Sequence, residues 1–330
     1  MPKISIIIPC FNEERTIRKT LEAILAQTYP LSEMEVVIAD GLSTDRTREV
    51  IYQFIMEHPE LAVRVVDNPK RFIPNGLNTA LKHANGVYIA RMDGHSVPDP
   101  NYIALAEEDL EAGRGDNVGG VVDILPGNEG WLARAISIAT GHPLGVGDAL
   151  YRFATQAGEV DTVAFGVYRR ELFDRIGGWD ESLLINEDYE LNTRIRQNGG
   201  KIWLNPSIRA AYFSRSTLGT LSRQYFQYGL WKWRMLKRYP GSLRWRQALP
   251  PVFVLGVILG GLLSIFAKAA FLIWAGVLGL YATILFLAGI LQAIRLRRLS
   301  MCIGFPLAVA CMHISWGTGF LWSMITPIPR

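Results

Sequence analysis

Asp93 and His95 stand one residue apart at the end of VYIARMDGH (Val87–His95), where an apolar run gives way to a glycine. A carboxylate and an imidazole at that spacing can share a divalent metal ion, and ligands of open α/β sheets bind at the carboxyl ends of the strands. The same two residues also make an ordinary strand-to-loop corner, an Asp turn followed by a solvated His. Neighbouring acids weigh on the choice. Glu13 follows the apolar run KISIIIP (Lys3–Pro9), and Asp40 closes a second run, Glu35–Ala39. Singly, Glu13 could favour the positive end of a helix and Asp40 could be a turn residue; with Asp93 they line one edge of one sheet. Farther on, Asn186-Glu187-Asp188 opens an amphipathic helix through Gln197. A carboxylate there can take the proton of an alcohol as it becomes a nucleophile, although an Asn N-cap with two acids in the first turn reads equally simply.

The elements that must position these groups follow from apolar spacing. Lys3–Pro9 is a buried strand, and Ile17, Leu21, Ile24 and Leu25 mark the helix after it. The strand Glu35–Ala39 leads through Ser43-Thr44-Asp45, a capping sequence, into a helix over Arg46–Met56. A third strand at Ala62–Val66, a helix at Gly76–His83 and the strand at Val87 complete an alternation that predicts a parallel, doubly wound sheet. A dinucleotide-binding oxidoreductase is excluded, because the first strand-to-helix turn reads PCFNEE and lacks the glycines of G-x-G-x-x-G. Beyond lie a strand at Asn117–Ile124, a helix at Gly130–Ala139, a strand at Asp161–Val167 and a helical turn at Arg170–Ile176. Gly141–Asp148 (GHPLGVGD) reads as a mobile loop near the site.

Charge divides the chain sharply. All 30 acidic residues precede Leu191, with 17 of the 34 Lys and Arg; the remaining 17 basic residues follow with no acid among them. A basic tail points to nucleic acid or an anionic membrane. Hydropathy selects the membrane: Val252–Ala267, Ala269–Gln292 and Met301–Ile325 are almost wholly apolar and lack a polar face. Arg244 and Arg246 precede the first span and Arg295, Arg297 and Arg298 fill the loop between the second and third, while only Lys268 sits in the first hairpin, so the first ~240 residues are expected in the cytoplasm, on the inner membrane. The first residues are too short an apolar run for a signal peptide, and Cys10, Cys302 and Cys311 suggest neither a disulfide nor a metal cluster. Ser216–Tyr239 interleaves aromatics with Arg223, Lys232, Arg234, Lys237 and Arg238, which suits a helix in the headgroup plane and leaves nucleic acid as the weaker reading. A small transporter or scaffold is disfavoured, because His313 is the one ionisable non-thiol group within the spans.

Taken together, Pro9-x-Phe11-Asn12-Glu13, Asp40-Gly41-x-Ser43-Thr44-Asp45, Gly76-Leu77-Asn78, Asp93-x-His95, Gly177-Gly178-Trp179 and Glu187-Asp188 resemble the family 2 glycosyltransferases, over roughly Met1–Phe213. Arg91-Met92-Asp93-Gly94-His95 and the three-helix tail are most similar in type to bacterial exopolysaccharide enzymes such as the succinoglycan-biosynthesis glucosyltransferases. The resemblance implies an α/β chain: a Rossmann-like GT-A nucleotide-sugar-binding domain (1–215), an amphipathic interfacial helix region (216–246) and a membrane domain of three transmembrane helices (247–330). It implies that Pro9, Phe11, Glu13 and Asp40 hold the nucleoside of a UDP-sugar, with Asp40 on the uracil N–H, and that Asn78 and Asp93 help hold the donor.

Asp93 and His95 match the family's D-x-D and imply Mn²⁺ or Mg²⁺ on the diphosphate. His95 in place of the usual second Asp favours Mn²⁺, since Mg²⁺ prefers oxygen. Asp188 matches the general base, with Glu187 beside it. One in-line displacement would then invert the anomeric centre as UDP departs. Gln224-Tyr225-Phe226-Gln227-Tyr228 resembles a degenerate Q-x-x-R-W motif of processive members, which argues for transfer of a single sugar to a lipid-linked saccharide acceptor. A polyprenyl-phosphate sugar synthase is the alternative.

Overall fold

A computed structural model describes residues 2–326; Met1 and 327–330, at the outer ends of the regions 1–215 and 247–330, lie outside the described residues. As the apolar runs predict, β1 (Ile4–Cys10), α1 (Ile17–Leu25), β2 (Met34–Asp40), α2 (Thr47–Glu57), β3 (Ala62–Asp67), α3 (Ile73–His83) and β4 (Tyr88–Arg91) alternate. α3 starts three residues before Gly76, with Pro74 in its first turn, where a missing N–H costs nothing. β1 runs parallel to β2 and β4, and β2 to β3, with Cys10 opposite Asp40 and Ile7 opposite Arg91. The carboxyl ends of β1, β2 and β4 therefore share one edge.

The chain continues through β5 (Ser96–Pro98), α4 (Tyr102–Glu111), β6 (Asn117–Leu125), α5 (Trp131–Thr140), α6 (Pro143–Val146), β7 (Gly158–Glu159), β8 (Val167–Arg169), α7 (Arg170–Ile176), α8 (Glu187–Gln197) and β9 (Ile202–Phe213). These strands make one sheet in the order β3-β2-β1-β4-β8-β6-β9-β5, with β7 paired to β9. β8 is antiparallel to both β4 and β6, and β5 to β9, so the sheet is mixed rather than wholly parallel. The strand expected over Asp161–Val167 begins only at Val167. Asn192 holds the preceding stretch: its amide donates to Thr162 Oγ1 at 2.8 Å and to the Val163 carbonyl at 3.1 Å, and the latter is a backbone group a sheet ladder would use. Ile7, Val37, Leu77, Ile89, Leu191 and Ile195 form the centre of the core beneath the shared edge.

Two compact units emerge, Met1–Asp123 with Leu150–Tyr212, and Ile124–Ala149 with Phe213–Arg330. The second contains α9 (Leu218–Arg238), α10 (Trp245–Ser264), α11 (Lys268–Leu296) and α12 (Met301–Ile325), of which the last three are each long and apolar enough to cross a membrane. Within this unit α9 packs against α12 where glycine removes the side chain; a Cβ on Gly229 would overlap the Trp316 carbonyl, and one on Gly319 the Phe226 carbonyl. Of the cations expected to face headgroups, Lys232 is instead buried, donating to the Ser242 carbonyl at 2.8 Å. The glycine-rich stretch 141–148 is not a loop of the first unit. It forms α6 and is pinned within the second, with His313 Nε2 2.8 Å from the Leu144 carbonyl and His313 Nδ1 3.0 Å from the Tyr281 hydroxyl.

Candidate active site

The first unit carries every residue singled out above for nucleotide, metal or base. Two turns leave the shared edge, Phe11–Thr16 after β1 and Gly41–Arg46 after β2, and they are knitted together. Asn12, with φ +55°, donates its N–H to Ser43 Oγ at 2.9 Å and accepts from the Thr44 N–H at 2.8 Å. The Glu13 N–H donates to Thr47 Oγ1 at 2.7 Å, and the Arg46 N–H to Glu14 Oε2 at 3.1 Å. Asp40 is fully buried and accepts from the Ser43 N–H at 3.0 Å, the Ser43 hydroxyl at 2.5 Å and Arg48 Nε at 2.5 Å. It holds the second turn in place.

Phe11 is 39% exposed, with the Arg71 guanidinium carbon 5.5 Å from its ring centroid. Gly41 makes room for that ring; a Cβ there would lie 3.1 Å from Phe11 Cδ2. Leu42, exposed and left-handed at φ +57°, adds a second apolar surface. An open aromatic ring beside a guanidinium is a surface on which a flat base can stack. Pro9 packs close to α3, where a Cβ on Gly76 would lie 3.1 Å from Pro9 Cβ.

Asn78 does a different job. Its Nδ2 donates to the Trp179 carbonyl at 2.8 Å and to Glu181 Oε1 at 3.2 Å, while its Oδ1 accepts from the Trp179 N–H at 2.8 Å. Gly178 is required because a Cβ there would overlap Asn78 Oδ1, and Gly177 turns with φ +80°. Asn78 thus ties α3 to the Gly-Gly-Trp turn. Glu181 reinforces the tie by accepting from Lys70 Nζ at 2.8 Å and from Asn75 Nδ2.

Past β4, Asp93 and His95 point into the same edge. His95 Nδ1 lies 2.9 Å from Glu13 Oε1, and the other Glu13 oxygen accepts from the Thr16 hydroxyl at 2.5 Å. Glu13 therefore stands against the imidazole. A carboxylate on one ring nitrogen directs the other toward a ligand, the arrangement usual around a metal-binding His. Among the described residues no group of three or more His, Cys, Asp or Glu could enclose an ion. Two protein ligands with open positions fit a cation whose remaining oxygens arrive with a diphosphate.

Arg91, at the end of β4, joins this pair to the acids of α8. Nη2 lies 2.8 Å from Asp93 Oδ1 and 3.0 Å from Glu187 Oε1, and Nη1 binds Asp188 Oδ2. Burial works against the guanidinium charge, but Asp93 and Glu187 outweigh it and raise its pKa. Burial likewise pushes the Glu187 carboxyl above its ordinary value, against the pull of Arg91. Asp188 Oδ1 is buried without a hydrogen-bond partner. Asn186 precedes the acids in a left-handed conformation, φ +69°, and makes no side-chain cap. Burial also raises the pKa of Cys10 below this edge, which leaves its thiol protonated.

Sequence reading set Glu13, Asp40 and Asp93 on one edge and Glu187 and Asp188 at a helix start, and it gave no role to Arg91, Arg71 or Leu42. The available signal for Arg91 was a lone charge in an otherwise apolar strand, VYIAR.

A half-parallel sheet with an open aromatic ring and a row of acids at its strand ends is a GT-A-like domain. Residues 5–177 match the family model described as glycosyl transferase family 2, and the chain belongs to that family. It is 31% identical over 319 residues to the succinoglycan biosynthesis protein ExoA of Rhizobium meliloti, covering 96% of this chain and 93% of the relative. A second relative, from Methanococcus voltae, is the dolichyl N-acetyl-alpha-D-glucosaminyl phosphate 3-beta-D-2,3-diacetamido-2,3-dideoxy-beta-D-glucuronosyltransferase, 28% identical over 82% of this chain and 85% of its own. The mannosyltransferase of Pyrobaculum calidifontis, solved with GDP-Man and Mn²⁺, shares the fold with a TM-score of 0.59 at 19% identity, over 94% of this chain and 87% of its own. The chain is thus a family 2 glycosyltransferase, similar to enzymes of exopolysaccharide and lipid-linked glycan synthesis.

Proposed function

We propose that this glycosyltransferase moves a sugar from a UDP-sugar to a lipid-linked saccharide acceptor at the cytoplasmic face of the inner membrane, with inversion at the anomeric carbon. The observation that carries the proposal is the state of Asp188: one oxygen is held by Arg91, and the other is buried with no partner at the edge that Asp93 and His95 also line. Such an oxygen is placed to receive a proton from an alcohol. As Asp188 Oδ1 takes that proton, the acceptor oxygen bonds to the anomeric carbon. The bond from that carbon to the nucleotide breaks on the opposite side, and its electron pair leaves with UDP.

The nucleoside base stacks on Phe11 beside Arg71, with Pro9 and Asp40 holding the shelf. Asp93 and His95 would hold a divalent cation, Mn²⁺ in preference to Mg²⁺, and that ion supplies positive charge to the departing diphosphate. Asn78 and Glu13 act by position, the first on the Gly-Gly-Trp turn and the second on His95. A lipid-linked saccharide is favoured over a bare polyprenyl phosphate by the acceptor named for the Methanococcus relative, and the three apolar helices keep the enzyme where such lipids lie. The arginines around the spans favour the cytoplasmic orientation.

The test is a panel of UDP- and GDP-sugars incubated with the full-length enzyme and a membrane lipid extract, followed by mass analysis of the lipid product. A glycolipid formed from a UDP-sugar alone is expected. Use of GDP-sugars alone overturns the donor, and a product on lipid monophosphate overturns the acceptor. Asp188→Asn is expected to lose about 10²–10⁴-fold in kcat while still binding UDP; full turnover would remove Asp188 from the mechanism.

A further inference from the structure

We propose that Arg91 is the positioning residue of the transfer reaction, the group that aims the base and holds it in register with the metal-ligand end of the site. The inference rests on the reading of Asp188 as base and adds a role for a residue to which the resemblance assigned none. Its guanidinium is forked between two parts of the fold that are distant in sequence. Nη2 bridges Asp93, on the turn after β4, and Glu187, the first residue of α8, at 2.8 and 3.0 Å. Nη1 takes Asp188 Oδ2, so the carboxylate is pinned by one oxygen and its rotation is blocked. Oδ1 is thereby presented with no protein donor on it.

The surroundings of Arg91 make the clamp rigid. Its side chain is 4% exposed, its guanidinium carbon lies 5.9 Å from the Phe165 ring centroid, and its backbone pairs across β4 with Ile7. Nε is buried without a partner, so every hydrogen bond recorded for this guanidinium goes to the three acids. Three carboxylates converge on one cation whose two terminal nitrogens serve different acids, a spread that a single ammonium nitrogen does not match. Lysine offers a point charge on a flexible stem, whereas the planar fork fixes two directions at once. A base misplaced by about 1 Å costs on the order of 10²-fold in rate.

The experiment compares Arg91→Lys, Arg91→Ala and Asp188→Asn in the full-length, detergent-solubilised enzyme. UDP release is followed with the same UDP-sugar panel and lipid extract, and UDP binding is measured separately in the presence of Mn²⁺. Arg91→Lys is expected to lose about 10²-fold in kcat with UDP affinity changed less than about threefold. Arg91→Ala is expected to lose at least as much and to regain about tenfold when guanidinium is added at millimolar concentration, with urea giving no rescue. A merely structural role would not respond to guanidinium in this way. Wild-type kcat in Arg91→Lys overturns the inference, as does an Arg91→Ala enzyme that binds UDP normally but ignores guanidinium. Should both variants fail to bind UDP and melt early, with no rescue, Arg91 is a folding residue and the inference falls. If Asp188→Asn turns over normally, the base reading itself fails; if it is inactive while Arg91→Lys is normal, only the role of Arg91 fails.

Discussion

The proposed metal motif sets His95 where the resemblance has a second carboxylate, which would make an aspartate there a conservative repair. The structure predicts the opposite. The imidazole Nδ1 lies 2.9 Å from Glu13 Oε1, and a carboxylate at position 95 would face that acid directly. Two carboxylates about 4 Å apart repel by about 4 kcal/mol at an effective dielectric of about 20. The side chains of His95 and Glu13 are 33% and 25% exposed. Solvent and salt reduce the penalty to about 1.4–2.8 kcal/mol, and it falls on the metal-free site, because a dication bound beside the two carboxylates relieves it. His95→Asp should therefore destabilise the metal-free protein by about that amount in a denaturant titration at neutral pH. Glu13→Gln combined with His95→Asp should recover most of the loss, and its all-oxygen site should shift preference toward Mg²⁺, read by competition against the Mn²⁺ EPR signal. Chelation should abolish turnover of the native enzyme and added Mn²⁺ restore it. An unchanged stability of metal-free His95→Asp with Glu13 intact would refute the pairing of these residues as the reason for the histidine.

Phe11→Ala removes the aromatic half of the shelf and should weaken UDP binding by about 1–2 kcal/mol, read by calorimetry, with little change in melting temperature. Gly178→Ala drives a Cβ into Asn78 Oδ1 and should destabilise the first unit by about 1–3 kcal/mol in a denaturant titration. Glu187 gives a pH-dependent effect. Its carboxyl is raised by burial, so its stabilising contribution is complete below the unfolded value and lost as pH rises through the folded one. As pH rises through that folded value the ionised group costs stability, and Glu187→Gln should gain on the native protein, melting about 1–3 °C higher at the alkaline end of the profile. The difference should vanish near pH 4; a Gln variant that melts lower across the profile would show that the pair with Arg91 outweighs burial.

Local composition made much of this molecule legible. The strands Ile4–Cys10 and Met34–Asp40 are nearly unbroken apolar runs because both faces of the sheet are covered, and such runs need no partner to be recognised. The three long C-terminal helices are equally explicit, since a bilayer-length apolar stretch has few other uses. The second half of the sheet was harder. β8 is three residues long and pairs antiparallel, and the stretch before it is held by Asn192 binding Thr162 and Val163 from a helix 30 residues away. The glycines of 141–148 signalled a break in the helix but not that α6 would be pinned to His313.

The candidate site divides along the same line. Residue types and order alone placed Asp40, Asp93 and His95 at strand ends and Glu187 and Asp188 at a helix start, because those positions follow from the periodicity of the elements around them. Tertiary structure decided which charges meet. Glu13 meets His95, Asn78 binds a backbone turn, and Arg91 reaches Glu187 across 96 positions of chain. No local pattern encodes such a contact. A guanidinium can be buried only where the fold brings carboxylates to it, and that meeting exists only once β4 and α8 have packed.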